Sequence, residues 1–413
     1  MELITLVVYI SVYIGLVSTS FYILTYLDSQ KRKTELFTEK ELPTVSIIIP
    51  AYNEEKTIKK TIQSILESNY PSEFEVIVID DGSKDNTLKF AKQIKDKRIK
   101  VFTKPNGGKG SALNMGISKA KGEIIFTMDA DTYVDKNSMK NMTPYFKNPE
   151  IMAVTPAMVT HNPQSLLQRI QNTEYLLGLF LRKVFAALNA LYVTPGAFSC
   201  YRAEFFKKYG GFDEHNITED LEIGLRIHLN GYKIENSPEA PAYTVTPTRF
   251  KELTKQRRRW YFGLMKNIFG KYKVLLTPKY GDMGIIVMPV AWISILLAVF
   301  MVVYFFIDIL TRITDKILFL PELNYDISGF LNINLYIIER TIFFLLTNPS
   351  FIFILFFVIL LGFFLYYASH KIGRLTGIII NLPLYFIAFA ILFGFWWVVS
   401  IFYYIFYSEV SWK

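Results

Sequence analysis

Five groups of polar residues in this 413-residue chain combine types and spacings that could act on a phosphorylated substrate. Asp129-Ala130-Asp131 follows an apolar run, and alternate residues of an extended segment share a face. Two carboxylates that close repel unless a cation sits beside them. A divalent ion bridging to a diphosphate would relieve the repulsion, and hard oxygen ligands suit Mg²⁺ or Mn²⁺. Taken alone, Asp-x-Asp is also a common turn sequence. Asp80-Asp81-Gly82-Ser83 offers a carboxylate for a uracil or a ribose, with Gly82 allowing a sharp turn. The same four residues also suit a turn that feeds a capped helix. Lys109, beside Gly107, Gly108 and Gly110, is either a solvated loop lysine or one that meets a phosphate together with backbone N–H groups.

Thr218-Glu219-Asp220 opens a segment that reads as a helix over Leu221–Leu229. Thr218 can cap that helix and the acids can complement its dipole. A carboxylate held at a capped helix end is also placed to serve as a general base, which here would be Asp220. Gln256-Arg257-Arg258-Arg259-Trp260 is the sharpest signal. It reads either as a basic patch with an interfacial Trp against lipid, or as an arginine neutralising a departing diphosphate while Trp260 stacks on a sugar ring.

The elements that must position these residues alternate. Val45–Pro50 is a β-rich run, followed by a helical pattern in which Ile58, Ile62, Ile65 and Leu66 share a face and Glu54 and Glu55 suit the first turn. Phe74–Asp80 is a second strand, and Asp85 or Asn86 can cap the next helix. Lys100–Lys104 and Ile124–Asp129 are strands flanking a helix from about Gly110 to Lys119. This rhythm predicts a largely parallel sheet covered by helices. Ligands of such sheets collect at the carboxyl ends of the strands, and Ala51-Tyr52-Asn53-Glu54, Asp80–Ser83, Asn106–Lys109 and Asp129–Asp131 all stand at such ends.

Apolar residues make up 51% of the chain and aromatic residues 16%, and these are concentrated. Leu3–Leu27, Met283–Ile307, Thr341–Ser369 and Leu375–Ser408 contain no charged residue or His, and each reaches the roughly 20 residues needed to cross a bilayer as a helix. The first is read as a retained anchor, because it is long for a signal core and lacks a preceding basic residue and a clear cleavage site. Lys31, Arg32 and Lys33 put its carboxyl end in the cytoplasm, and Lys371 and Arg374 fall on the same side. Between the second and third stretches, five acids outnumber three bases, as expected of an external loop. The expected organisation is an anchor over 1–33, a cytoplasmic domain over 34–282 and a membrane region of about three helices over 283–413. Gln164–Leu188 is either an interfacial helix or a core helix. The fourth stretch, with Asn381 and Pro383, is expected to be kinked or partly interfacial. The net charge of +9 suits an anionic lipid surface and phosphates. No nucleic-acid module accompanies it, and a single Cys excludes a disulfide framework or a cysteine-rich zinc site.

In this order, the motifs from about Thr44 to Trp260 resemble the inverting glycosyltransferase family two with a GT-A fold. The resemblance is to its membrane-bound processive branch of cellulose, chitin, hyaluronan and poly-N-acetylglucosamine synthases. It rests on Asp80-Asp81-Gly-Ser, Asp129-x-Asp131, Thr218-Glu219-Asp220 and Gln256-x-x-Arg259-Trp260. It implies that Tyr52, Glu54 and Asp81 would contact uridine, and that Lys109 and Asp129 would help hold the nucleotide-sugar. Asp131, with Asp129, would bind the metal, and Asp220 would be the base. Gln256, Arg259 and Trp260 would shape the diphosphate and acceptor end. Glu219 and the loop Thr194–Cys200, with Gly196, Ala197 and Phe198, would receive the acceptor, although Pro195 and Cys200 depart from the expected pattern.

The expected function is inverting transfer from a UDP-sugar (UDP-N-acetylglucosamine or UDP-glucose) to a growing polysaccharide, coupled to export. The expected setting is a multi-pass plasma-membrane protein in contact with lipid, with a homo-oligomer as an option. A lipid acceptor, such as a polyprenyl phosphate or glycolipid, is the alternative, because four crossings make a thin wall for a polymer channel. A non-enzymatic carbohydrate-binding subunit is a distant third, since Asp81, Asp129, Asp131 and Asp220 are all present.

Overall fold

The computed structural model describes residues 2–31, 36–323, 325, 335–347, 349–371 and 378–407. The strands are β1 (Val45–Ala51), β2 (Phe74–Asp80), β3 (Ile99–Thr103), β4 (Ile124–Met128), β5 (Tyr133–Val134), β6 (Ile151–Thr160), β7 (Phe198–Arg202) and β8 (Lys233–Thr244). Between them lie α2 (Ile58–Leu66), α3 (Thr87–Gln93), α4 (Lys109–Lys119), α5 (Ser138–Met142), α6 (Leu166–Ala187), α7 (Ala203–Tyr209) and α8 (Glu219–Leu229). Outside this body are α1 (Glu2–Ser29), α9 (Phe250–Phe269), α10 (Met288–Phe319), α11 (Leu335–Thr347), α12 (Pro349–Lys371) and α13 (Ile378–Phe406).

The strands form one sheet in the order β3-β2-β1-β4-β7-β6-β8-β5. β1 to β4 are mutually parallel, as the sequence predicts. The far half is mixed, with β7 antiparallel to β4 and β6, and β5 antiparallel to β8. Side chains alternate across the sheet. Ile47, Ile49, Val76 and Val78 enter one core, with Ile58, Ile62 and Ile65 of α2. Ile48, Ile77 and Ile79 enter the other, with Ala112 and Leu113 of α4. Burial on both faces accounts for the near-continuous apolar character of β1 and β2.

Ala51 pairs with Asp80 and Asp80 with Thr103, so the carboxyl ends of β1, β2 and β3 lie level. Because β7 is antiparallel to β4, with Phe198 opposite Met128, the loop entering β7 lies at the edge where β4 ends. The amide of Asp129 donates to the carbonyl of Ala197 at 3.2 Å. The reversal of β7 thus brings the acceptor-loop candidates to the Asp129–Asp131 motif.

Two local expectations are corrected. Glu54 and Glu55 precede α2 rather than occupying its first turn; the Glu54 carboxylate accepts from Thr57 at 2.7 Å, while that of Glu55 accepts from Asn86 across the loop. The Thr218 hydroxyl does not cap α8. It donates to Asn216 and accepts from Asn267 on α9, each at 3.2 Å. The N-cap of α3 is Asn86, without a side-chain cap bond, and Asp85 just before it accepts from the amide of Thr87 at 2.9 Å.

Among the described residues, three helices are long and apolar enough to cross a membrane: Ile4–Ser29, Met283–Glu322 and Asn381–Phe406. They carry exposed apolar rows, such as Leu6, Tyr13, Val17 and Leu24 on α1, and Leu296, Phe305 and Phe306 on α10, which a lipid surface would cover. This is a membrane protein. α10 is longer than the second uncharged stretch. Its 32 residues span about 48 Å at 1.5 Å per residue, against about 30 Å of hydrocarbon. Its last turns, with the 2.7 Å Asp308–Arg312 pair, therefore form an extension beyond the uncharged stretch, where an external loop was expected. Part of that segment, 324 and 326–334, lies outside the described residues. The third stretch is broken, since α11 and α12 meet at 76° with Pro349 opening α12, a position that suits a residue without an N–H. α13 is one helix with Pro383 inside it.

α6 combines core packing with contacts to the apolar helices. It packs on β6 and β8 and also against α1, α12 and α13. Tyr26 of α1 meets Phe180 edge-on at 5.4 Å, and Tyr261 of α9 stacks on Trp397 of α13 at 4.4 Å and 7°. Such aromatic pairs add roughly 0.5–1.5 kcal/mol each beyond their burial, and they tie the sheet domain to its membrane helices.

Candidate active site

Asp81 organises the loop after β3. Its carboxylate accepts from Lys104 Nζ at 2.9 Å and from the amides of Gly107 and Gly108 at 3.0 and 2.8 Å, and its carbonyl accepts from Asn106. That fixes the entry to α4, whose first residue is Lys109. On the other side, the loops after β1 and β2 are knitted together. The Asn53 amide donates to Ser83, the Glu54 amide to Thr87, and the Lys84 amide to the side chain of Asn53. Tyr52 and Glu54 stand half-buried in this rim.

Lys109 is the hub. Its Nζ lies 2.6 Å from Asp129 Oδ1 and 3.3 Å from Glu219 Oε1. Burial opposes its charge, but Asp129, Glu219 and Asp220 outweigh burial and raise it above the ordinary lysine range. A side chain at Gly196 would put a carbon 2.4 Å from this Nζ, so the lysine would have to move away from its present position. Asp220, at the start of α8, accepts from the Gly196 amide at 3.1 Å through Oδ2 and from the Leu221 amide at 2.9 Å through Oδ1. Its backbone carbonyl accepts from Thr194 Oγ1 at 2.5 Å. Glu219 is buried and its carboxyl is raised, first by burial and against the pull of Lys109.

Asp131 is pushed up to about 7, first by burial and then by the charges of Asp129 and Glu54, with Lys109 offsetting part. Glu54 is raised as well, again mainly by burial. Among the described residues, no three His, Cys, Asp or Glu side chains form a ready-made metal cage. Asp129 and Asp131 nevertheless fit a divalent cation whose remaining ligands come from a substrate diphosphate, because such a cation would relieve the crowding that raises Asp131.

Gln256, Arg259 and Trp260 lie on α9. That helix meets α8 through Gly263, whose added Cβ would fall 2.4 Å from the side chain of Thr218, and through Asn267, which bonds Asn216 and Thr218. Residues three and four apart share a helix face, so Arg259 and Trp260 stand one turn from the Gly263 contact, and the Trp260 ring lies 4.4 Å from the guanidinium of Arg257. Ala197 and Phe198 are buried, and the Phe198 ring lies 4.8 Å from that of Phe126 in the core. What Phe198 offers the site is backbone.

Sequence reasoning did not single out Glu222, fully buried in α8, which accepts from Arg226, Lys271 and Tyr272. Nor did it pair Glu174 with Arg257, which bond at 2.6 Å across 83 residues of chain. The only signal for Glu222 is an acid between Leu221 and Ile223, and Glu174, which follows Gln171-Asn172-Thr173, carries none.

A parallel half-sheet whose loops gather an Asp-x-Asp pair, a lysine hub and a helix-end carboxylate, mounted on membrane helices, defines a membrane-embedded glycosyltransferase with a GT-A-like fold. Residues 46–210 match Glycosyl transferase family 2. The poly-beta-1,6-N-acetyl-D-glucosamine synthase of Staphylococcus aureus (strain COL) is 32% identical over 299 residues, covering 70% of this chain and 72% of that protein. The Staphylococcus epidermidis protein of that name is 32% identical over 267 residues, covering 62% of this chain and 64% of that protein. Among solved structures, the mannosyltransferase PcManGT from Pyrobaculum calidifontis, in complex with GDP-Man and Mn²⁺, matches with a TM-score of 0.53 at 21% identity. That match covers 71% of this chain and 86% of the mannosyltransferase, a likeness of fold alone. The chain belongs to glycosyltransferase family 2.

Proposed function

We propose that this enzyme takes N-acetylglucosamine from UDP-N-acetylglucosamine and adds it, with inversion, to a growing β-linked polymer that leaves through the membrane. The relatives named as poly-N-acetylglucosamine synthases support this choice of sugar. The observation that carries the reading is the placing of Asp220 Oδ2, 3.1 Å from the Gly196 amide, beside the Lys109–Asp129 pair. A base, the acceptor loop and the donor-side charges then meet at one point. In this reading the domain over 34–282 is cytoplasmic, where the nucleotide-sugar is made, and residues 1–33 and 283–413 hold it in the plasma membrane.

Asp220 takes the proton of the acceptor hydroxyl, whose oxygen attacks the anomeric carbon. The bond from that carbon to the diphosphate oxygen breaks, and UDP leaves with the bonding pair. One displacement converts an α-linked donor into a β-linkage. Asp129 and Asp131 would hold Mg²⁺ or Mn²⁺, which supplies positive charge to the leaving diphosphate. Arg259 and Gln256 hold the same diphosphate, and Trp260 stacks on the acceptor sugar. Tyr52, Glu54 and Asp81 take the uridine. A carboxylate has about four acceptor sites. Three at Asp81 are occupied by Lys104, Gly107 and Gly108, which leaves one on Oδ2 for the imide N–H of uracil. Glu219 lines the acceptor side with Gly196 and Ala197. With three or four spans, a second copy of the chain would complete the wall of a conduit.

The test is incubation of the purified full chain in detergent with radiolabelled UDP-N-acetylglucosamine and Mn²⁺ or Mg²⁺. The expected product is of high mass and is cut by a β-N-acetylglucosaminidase. A single-sugar, organic-extractable glycolipid as the only product under saturating donor would overturn the polymer reading and favour a lipid acceptor.

A further inference from the structure

The Glu174–Arg257 ion pair joins α6 to α9 at 2.6 Å, with 19% and 2% of the two side chains exposed. Withdrawing both charges from water costs several kcal/mol per ion, and removing one partner leaves the other buried and unpaired. The guanidinium of Arg257 lies 4.4 Å from the ring centre of Trp260 and 5.7 Å from that of Trp396 on α13. Trp396 is itself fixed, because its N–H donates to Thr254 at 3.1 Å and its ring stacks with Phe250.

We propose that Glu174 is a positioning residue for sugar transfer: it holds Arg257, Arg257 holds the ring of Trp260, and the acceptor end of the site is thereby fixed against the last membrane helix. No motif of the sequence contains Glu174. A carboxylate on α6 is needed because α9 has no acid in reach of Arg257; its one acid, Glu252, is exposed in the first turn. The cation–π contact is then set by a guanidinium that cannot rotate away. This inference rests on the reading of Trp260 as the residue that stacks on the acceptor.

The test uses the full chain in lipid nanodiscs with labelled UDP-N-acetylglucosamine. It compares Glu174→Gln, Glu174→Asp, Arg257→Lys and Trp260→Ala, and reads donor affinity, incorporation into polymer, polymer length and sugar lost to water. Glu174→Gln is expected to keep donor affinity within about twofold while lowering incorporation roughly tenfold, with shorter chains and a larger hydrolysed share, as misplacement of one reactant predicts. Glu174→Asp should recover part of the incorporation, and Arg257→Lys should resemble Glu174→Gln. Wild-type incorporation and chain length in Glu174→Gln, or parallel loss of donor affinity and transfer in both Glu174 variants, would overturn the proposal. If Trp260→Ala itself leaves incorporation intact, the reading of Trp260 fails first. If Trp260→Ala is impaired and Glu174→Gln is not, only the positioning role fails.

Discussion

Lys109 Nζ stands 2.6 Å from Asp129 and 3.3 Å from Glu219, so one ammonium ties the loop after β4 to the first turn of α8. It reaches both because α4 begins at Lys109 and Gly196 leaves it space. Removing it strands several acids near one another. Breaking one side of a buried pair costs about 3–5 kcal/mol, and the half-exposed Asp129 end discounts that figure. Lys109→Met is expected to lose sugar transfer and to melt at a lower temperature. Lys109→Arg should also fail, because the broader guanidinium meets Gly196. Transfer near the wild-type rate in Lys109→Met would show that the lysine is only a structural tie.

Gly263 is where α9 touches α8. An added methyl would fall 2.4 Å from Cγ2 and Oγ1 of Thr218, closer than packed atoms tolerate. Alanine in a helix gains up to about 1 kcal/mol over glycine, but overpacking costs about 1–3 kcal/mol, so α9 should shift. We expect Gly263→Ala to fold and to lose most transfer, because Arg259 and Trp260 move with the helix. Adding Thr218→Ala should relieve the clash and restore part of the activity, measured as labelled polymer per unit protein. No recovery in the double variant would locate the defect elsewhere.

Asp81 separates two roles by substitution. Asp81→Asn keeps the shape but loses the charge opposite Lys104, and one side of the amide can no longer accept. Asp81→Ala leaves the amides of the exposed Gly107 and Gly108 to water, which costs less than a buried orphan amide, but it removes the groups that hold this loop. UDP affinity measured by calorimetry should fall in both, more in Asp81→Ala, and the melting temperature should fall chiefly in Asp81→Ala. Unchanged UDP affinity in both would exclude Asp81 from the nucleotide site.

The parallel half of the sheet was legible because β1, β2, β3 and β4 are local apolar runs that end in polar loops. Asp129 and Asp131 could be proposed because they follow β4, and Lys109 and Asp220 because each stands in the first turn of a helix, α4 and α8. The mixed half was not legible. β7 reverses and inserts between β4 and β6, and such pairing depends on partners tens of residues away rather than on period. The same distance hid the donors to Asp81, which lie 23 to 27 residues downstream. Thr218 was misread as a cap because its competing partner, Asn267, is 49 residues away. The break in the third apolar stretch was signalled only by Pro349, since composition alone cannot tell one span from two shorter helices.

His228 links the helix of Asp220 to acid stability. It is buried in α8, with Nε2 2.7 Å from the carbonyl of Leu191, so the neutral ring donates there. Burial depresses its pKa below the usual histidine value, although the Leu191 carbonyl opposes the shift. With the folded pKa below the unfolded one, the contribution to stability is complete above about pH 6.5, the unfolded value. As the pH falls from there towards the folded pKa, the unfolded chain takes up a proton that the folded chain refuses, and the contribution is lost. Carboxyls titrate over the same range, and those raised by burial, such as Asp131, Glu219 and Glu54, act in the opposite direction, so the comparison must be with His228→Gln, whose amide N–H can still reach Leu191. Denaturation from pH 8 to pH 5 in one detergent should show a shallower loss of stability in the variant, by at most about 1.4 kcal/mol per pH unit, the effect of one proton. Equal slopes would mean that His228 is charged in the folded protein or buried in the unfolded one. A steeper slope in the variant would reverse the assigned sign.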